Sequence, residues 1–246
     1  MPAIVIGIAF HNKSQPLVRA VISALAQKVP GHDVYVVVLD SSPSAVAHAM
    51  LKHLSKKFWV VRGKARTAYA ARNFLIRYAE QRWPSLAWHV RLDADDCFSS
   101  TKALAVVLSG AKPMHRVLLA GNRQMGVRGE LIGRNIPSVK MLRRRYLLGR
   151  LAKMAKGVFK AELPSCNLIL RARLGWRYPA KKSAEDHWMV AMILLKSAPR
   201  WVRIRETVLI DYRLGGELTK ANKIGGNYLA QRKALFEAAK SWHRHA

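Results

Sequence analysis

Residues 87–98, AWHVRLDADDCF, decide how this chain is read. Trp88 to Leu92 is a short apolar run of strand length, and it stops abruptly at Asp93, Asp95 and Asp96. The chain holds 14 acidic residues against 43 basic ones, so three carboxylates within four positions repel one another without being needed for solubility. Hard divalent cations such as Mg²⁺ take one or two carboxylates plus substrate phosphates. Ligands of open α/β sheets sit beyond the carboxyl ends of strands, where these aspartates fall. The plainer alternative is an acidic loop capping the next helix through Ser99 or Ser100; the residue chemistry favours a metal.

Upstream of this stretch, residues 3–10 read as an apolar strand, followed by a polar turn at His11-Asn12-Lys13. Ser14 as N-cap and Pro16 in the first turn open a helix whose Leu17, Val18, Val21, Ile22 and Leu25 recur at helical spacing, to about Lys28. Pro30-Gly31 breaks it. Residues 34–39 form a second strand ending at Asp40, residues 44–57 a helix, 58–61 a third strand and 67–83 a further helix. This β-α-β-α-β order predicts parallel strands with right-handed crossovers. It places Asp40 and Asp93 at one rim of the sheet, beside the turn at His11 and Asn12.

Downstream, a helix is expected over 100–108 and a strand over 116–120, then an irregular Gly-, Arg- and Asn-rich stretch over 121–140. Residues 141–160 hold seven basic side chains and no acid. Leu147, Leu151, Met154 and Val158 fall on one face, so a basic amphipathic helix is expected, weakened at Gly149. A strand over 167–171, a helix over 185–196, strands over 201–204 and 208–212 and a closing helix over 227–242 complete the reading. Glu185 and Asp186 open their helix, where the dipole favours ionised carboxylates.

The composition sets outer limits. At 246 residues, half of them hydrophobic, the chain can bury a large core. No run approaches the roughly 18–20 apolar residues of a membrane span, and the start lacks the basic region of a signal peptide. Cys97 and Cys166 make no disulfide framework and suggest a reducing, cytoplasmic compartment. The net charge of +29 predicts affinity for polyanions: nucleic acid, an anionic membrane or phosphorylated substrates. A host-wide basic bias is the bland alternative.

Five stretches in order resemble family 2 glycosyltransferases of the GT-A fold: IVIGIAFHNKSQPLVRAVISALAQ, VYVVVLDSSPS, TAYAARNFLIRYA, HVRLDADDCF and SAEDHWMVAMIL. The resemblance covers nearly the whole chain. It implies a single α/β domain, Rossmann-like, with a mainly parallel central sheet flanked by helices. Residues 1–122 would be the nucleotide-sugar-binding half and residues 123–246 the acceptor half. Phe10, His11 and Asn12 would line the nucleotide pocket, Asp40 would accept a hydrogen bond from the base, and Arg72 would lie near the nucleotide or its phosphates. Asp93 would face the ribose, Asp95 would hold a divalent metal, Mg²⁺ or Mn²⁺, on the diphosphate, and Asp186 would be the general base. The donor implied is a nucleotide sugar, most often UDP-linked.

The chain departs from the family in two places. Its opening turn is AFHN where many members have Pro-Thr-Tyr-Asn, and after Tyr-Arg it carries Gly215 and Gly216 near the place of a frequent histidine. The Gln-x-x-Arg-Trp signature and membrane spans of processive synthases are missing, which argues for transfer of one sugar. Charge points to an anionic or lipid-linked glycan acceptor, such as a lipopolysaccharide, with peripheral contact to the inner face of an anionic membrane. Two rivals stand beside this expectation. A nucleotidyltransferase would need a Gly-rich basic triphosphate loop near the N-terminus, and none is present. A nucleic-acid-binding module would not gather carboxylates at strand ends, where they repel phosphate.

Overall fold

The opening stretch folds as its periodicity dictates. β1 (Ala3–Phe10), β2 (Asp33–Asp40), β3 (Phe58–Arg62) and β4 (Leu86–Asp93) lie parallel in the order β3-β2-β1-β4. They are joined by α1 (Pro16–Leu25), α2 (Val46–Leu51) and α3 (Ala68–Arg82). The computed structural model describes residues 1–11, 16–44, 46–54, 58–126, 128–158, 162–181, 183–214 and 227–242, with the backbone alone at residue 166. Ser14, Asn12, Gly215 and Gly216 therefore lie outside the described residues.

Beyond β4 come β5 (Cys97–Phe98), α4 (Ala103–Leu108), β6 (Val117–Met125) and β7 (Leu131–Asn135). They are followed by α5 (Arg144–Ala155), β8 (Leu168–Arg171), α6 (Glu185–Lys196), β9 (Val202–Arg213) and α7 (Asn227–Ser241). The sheet continues from β4 through β8, β6 and β9 to β5, with β7 on β6. β6 and β9 are parallel, while β8, β7 and β5 join antiparallel. The result is one α/β domain with a mixed, mostly parallel sheet.

Alternation along each strand supplies both faces. Ile4, Ile6 and Ile8 of β1 pack with Leu17, Val21, Val90 and Leu104 under α1, α2 and α4. Val5, Val37 and Leu39 face α3 through Leu75 and Ala79. A strand buried on both faces reads as a continuous apolar run, as β1 does. The second half has its own core, in which Leu147, Leu151 and Met154 of α5 meet Trp188, Val190 and Leu194 of α6 and Leu235 of α7.

Five sequence expectations change. The helix expected over 44–57 closes at Leu51, where a turn begins. The helix expected over 100–108 starts only at Ala103, because Cys97 and Phe98 pair with β9. Ser99 Oγ then donates to the Val208 carbonyl at 3.3 Å and caps no helix, and Lys102 stands at the N-cap without a side-chain bond. Residues 121–140 are not irregular: β6 runs on to Met125 and β7 folds back on it. β7 is largely exposed, so no apolar period marked it. The two strands expected over 201–212 are one strand, β9, whose register against β6 shifts between Leu119 and Asn122. The basic segment opens with a 3-10 turn at Val139–Leu142; α5 follows, unbroken at Gly149, and Val158 lies exposed beyond its end. Among the described residues no helix is long and apolar enough to cross a membrane.

Candidate active site

Register brings the strand ends together. Phe10 pairs with Asp40 and Ala9 with Asp93, so three parallel strands finish at one rim. Phe10 is buried, while the exposed His11 has its Nδ1 2.9 Å from the Ser41 carbonyl, tying the turns after β1 and β2. Asp40 is fully buried beneath this rim. Its Oδ1 accepts from the Ser42 N–H at 2.9 Å, and its Oδ2 from the Ala47 N–H in the first turn of α2 at 3.0 Å, with Arg62 at 3.3 Å. Burial alone raises its pKa; bonds from Ser42 and Ala47 and the Arg62 charge outweigh that and hold it low. The carboxylate therefore fastens the end of β2 to α2.

A charged network sits beside it. Arg72 of α3 donates through Nη1 to Glu185 Oε1 and lies 3.4 Å from Asp93 Oδ1. Arg91 of β4 grips both Asp93 oxygens, Nε to Oδ1 at 2.8 Å and Nη2 to Oδ2, and reaches Asp186 Oδ2 through Nη1 at 3.2 Å. Asp186 also accepts from Ser165 Oγ at 3.0 Å and from the His187 N–H at 2.8 Å, with His187 Nδ1 at 3.1 Å. Burial pushes the Asp186 carboxyl up, but the His187 charge and hydrogen bond, then Arg91 and Arg72, pull it well below the usual range. Burial likewise raises Asp93, and Arg91 and Arg72 bring it down.

The start of α6 is held in place from two sides. Asn73, next to Arg72 on α3, donates to the Tyr178 carbonyl at 2.9 Å and accepts from its N–H at 2.7 Å. Ala184, at the N-cap, adopts a left-handed conformation with φ 58° and offers no side-chain cap. That backbone costs a non-glycine residue roughly 1 kcal/mol. It turns the chain so that Glu185 and Asp186 enter the network from the first turn.

Asp95 and Asp96 differ. Asp96 is buried, and its Oδ1 accepts the Arg213 N–H at 2.9 Å, anchoring the turn to β9. Burial, then the charges of Asp95 and Asp93, drive its carboxyl well up. Asp95 is half-buried at the edge of a cleft of about 100 Å³ shared with Arg19, Cys97, Met125, Asp211 and Arg213. Asp211 is already paired to Arg123 at 2.6 Å. Burial and neighbouring Asp93 push the Asp95 carboxyl up. Among the described residues no cation pairs with it, and no three metal-type side chains gather to hold an ion by themselves. A lone, desolvated carboxylate raised by a neighbouring acid fits a hard cation that takes its other ligands from phosphate oxygens and water.

The structure thus brings Arg72, Asp93 and Asp186 into one network, with Asp40 at the end of β2 and Asp95 in the turn after β4 outside its hydrogen bonds, while Asn12 lies outside the described residues. Sequence reasoning missed Arg91, Ser165 and the contact of His187 with Asp186. Arg91 is one of 43 basic residues in a run read as apolar, and only its spacing of two from Asp93 hinted at a shared face.

The family profile described as Glycosyl transferase family 2 matches residues 5–159. No curated protein sequence matches the chain. Among solved structures, TarS 1–349 of S. aureus in complex with UDP-GlcNAc is 17% identical; the match covers 97% of this chain and 70% of that one, at a TM-score of 0.60. The mannosyltransferase PcManGT from Pyrobaculum calidifontis, in complex with GDP-Man and Mn²⁺, is 15% identical, with 96% and 73% covered and a TM-score of 0.56. Against the S. aureus TarS chain of the first match, 19% identical with a TM-score of 0.57, 90% of this chain is covered but only 38% of the other. At these identities the likeness is one of fold.

Proposed function

The chain belongs to glycosyl transferase family 2, and on that premise we propose an inverting, metal-dependent transfer of one sugar from a nucleotide-sugar donor to an acceptor hydroxyl. One observation carries the reading: Asp93, at the end of a parallel strand, and Asp186, at the start of α6, share one guanidinium across the rim. An inverting displacement needs a base on the side of the sugar opposite the leaving group, and these carboxylates come from the two opposed halves of the chain. We assign residues 1–122 to the donor and 123–246 to the acceptor.

Asp186 is the base. It is ionised at neutral pH, and its role is to take the proton of the acceptor hydroxyl as the oxygen attacks. Asp93 orients the ribose, and Phe10, His11, Asn12 and Arg72 border the nucleotide. The direct hydrogen bond expected from the nucleotide base to Asp40 meets a carboxylate that is fully buried and already bonded by Ser42, Ala47 and Arg62. Asp40 is assigned instead to shaping the loop after β2 that borders the base. Asp95 would hold the divalent cation, Mg²⁺ or Mn²⁺, whose chemistry is to stabilise the charge of the departing diphosphate. Structures of similar fold were solved with UDP-GlcNAc and with GDP-Man plus Mn²⁺, which supports a nucleotide-sugar donor; a UDP-linked one is our choice. An anionic or lipid-linked glycan acceptor follows from the charge of +29.

The test is a screen of UDP- and GDP-sugars for hydrolysis and thermal stabilisation, with and without Mn²⁺ or Mg²⁺. One donor should bind with the metal and lose that metal-dependent binding in Asp95→Ala, whose fold should persist because, among the described residues, the side chain forms no ion pair. Undiminished metal-dependent binding in Asp95→Ala removes the metal from Asp95. No binding of any nucleotide sugar by the parent protein overturns the reading.

A further inference from the structure

Arg91 stands two residues before Asp93 on β4, so both side chains rise from the same face of the strand. It is 4% exposed, and a guanidinium so buried must be paired. Its fork is engaged on both edges. Nε and Nη2 hold the two oxygens of Asp93, while Nη1 donates to Asp186 Oδ2 at 3.2 Å and to the Ser165 carbonyl at 3.3 Å. Ser165 Oγ donates to that same Asp186 oxygen at 3.0 Å. One rigid plane therefore spans the carboxylate ending β4 and the carboxylate opening α6.

We propose that Arg91 is a positioning residue of the transfer reaction, fixing the base carboxylate Asp186 in distance and orientation relative to the donor-side Asp93. The inference rests on the reading of Asp186 as base. Strand pairing does not require this arginine's side chain, since β4 is already held along its length by β1 and over Trp88–Val90 by β8. A well-packed apolar side chain commonly serves stability as well as a buried ion pair does. Lysine would not serve the coupling, because a single ammonium cannot fork onto Asp93 and reach Asp186 in one plane.

Other charged groups near Asp186 do not replace it. Asp93 repels it from β4, and Tyr178 and Tyr228 face it from the loop before α6 and from α7. Arg72 lends charge but makes its own contacts with Glu185 and Asp93. His187 holds Oδ1, leaving Oδ2 to Arg91 and Ser165. Loss of Arg91 should therefore leave Oδ2 to the Ser165 hydroxyl alone, loosen the carboxylate's orientation relative to Asp93, and raise its pKa.

The experiment has two arms. In the first, hydrolysis of UDP-GlcNAc and GDP-mannose is followed from pH 4 to 9 for the parent, Arg91→Lys and Arg91→Met, with Mn²⁺-dependent binding measured beside it. Misplacement by about an ångström costs about 10²-fold in rate. Both variants should lose turnover on that scale while binding the nucleotide sugar within about threefold of the parent, and the acid limb should move to higher pH, further in Arg91→Met. Unchanged kcat and an unmoved acid limb in a folded variant overturn the proposal. The second arm needs no turnover: ¹³C-carboxyl titration of the parent and of Arg91→Met, with the Asp186 resonance identified by its loss in Asp186→Asn. Because His187 also favours the ionised form, the difference between the two proteins is what counts: the resonance should titrate at higher pH in Arg91→Met than in the parent. An unmoved Asp186 titration in folded Arg91→Met overturns Arg91's hold on Asp186. Absence of turnover in the parent, by contrast, counts against the transferase reading and leaves this arm to decide the coupling.

Discussion

Glu185 and Asp186 leave the first turn of α6 in different directions, as helix neighbours about 100° apart must. Glu185 is buried on Arg72, while Asp186 is the more open of the two and meets Arg91, Ser165 and His187. The pair therefore separates in experiment. Asp186→Asn keeps the shape and removes the basicity, and should cost about 10²–10⁴ in transfer rate with little change in donor affinity. Glu185→Gln leaves Arg72 with Asp93 as its remaining carboxylate, and should cost about 3 kcal/mol of stability, the scale of breaking a buried ion pair, while most transfer survives. Parallel measurement of turnover, donor affinity and denaturant midpoint decides it. A dead Glu185→Gln beside an active Asp186→Asn would mean that the wrong carboxylate has been named. These acids were legible in the sequence because they are scarce in a basic chain. Arg91 and Ser165 were not, because one basic residue among many carries no contrast and Ser165 meets Asp186 across 21 residues of chain.

The packing of α3 on the sheet turns on one residue of β4. His89 shares a face with Arg91 and Asp93 and lies against Gly7 of β1 and Leu75 of α3. A Cβ at position 7 would stand 2.9 Å from His89 Nε2 and 3.2 Å from Leu75 Cβ, so only glycine leaves room for the ring. Burial first, and the nearby Arg177 charge second, depress the His89 pKa to about 4. The folded protein therefore keeps this ring neutral where the unfolded chain, titrating near 6.5, takes up a proton. Its contribution is present above pH 6.5 and is lost as pH falls towards 4, on the order of 3 kcal/mol in all. Denaturant unfolding at pH 7 and pH 4.5 should show the parent losing more stability than His89→Leu. Equal losses would remove His89 as the cause. At this scale the long, strongly periodic elements were readable: β1, α3 and α6 fall where the apolar pattern put them. β7 and β5 were not, because an exposed edge strand has no buried period and a two-residue strand is defined only by its partner β9.

Across the whole molecule, a site with three carboxylates and two arginines, Asp93, Glu185 and Asp186 with Arg72 and Arg91, sits inside a chain of net charge +29. The site is locally acidic and its surroundings attract anions, an arrangement that draws in phosphorylated ligands from a distance. The basic segment contributes unevenly. Arg144 is committed inward, donating to the carbonyls of Trp242 and Lys240 at the end of α7, the second at 2.8 Å. Arg143, Arg145, Lys153 and Lys156 are exposed, with Tyr146 40% exposed among them. Each cation near an anionic leaflet contributes about 1 kcal/mol, and that attraction is screened within a Debye length. The double variant Arg143→Gln/Arg145→Gln should therefore bind phosphatidylglycerol vesicles about tenfold or more weakly than the parent, with a shallower dependence on salt and an unchanged denaturant midpoint. Arg144→Gln should do the reverse, lowering the midpoint by loosening α7 while vesicle binding moves less. Co-sedimentation with phosphatidylglycerol and with phosphatidylcholine vesicles, at low and high salt, separates the two. Equal binding by the parent and the double variant would assign these arginines to solvation alone, because a membrane-facing patch cannot lose two of its outermost charges without loosening its hold.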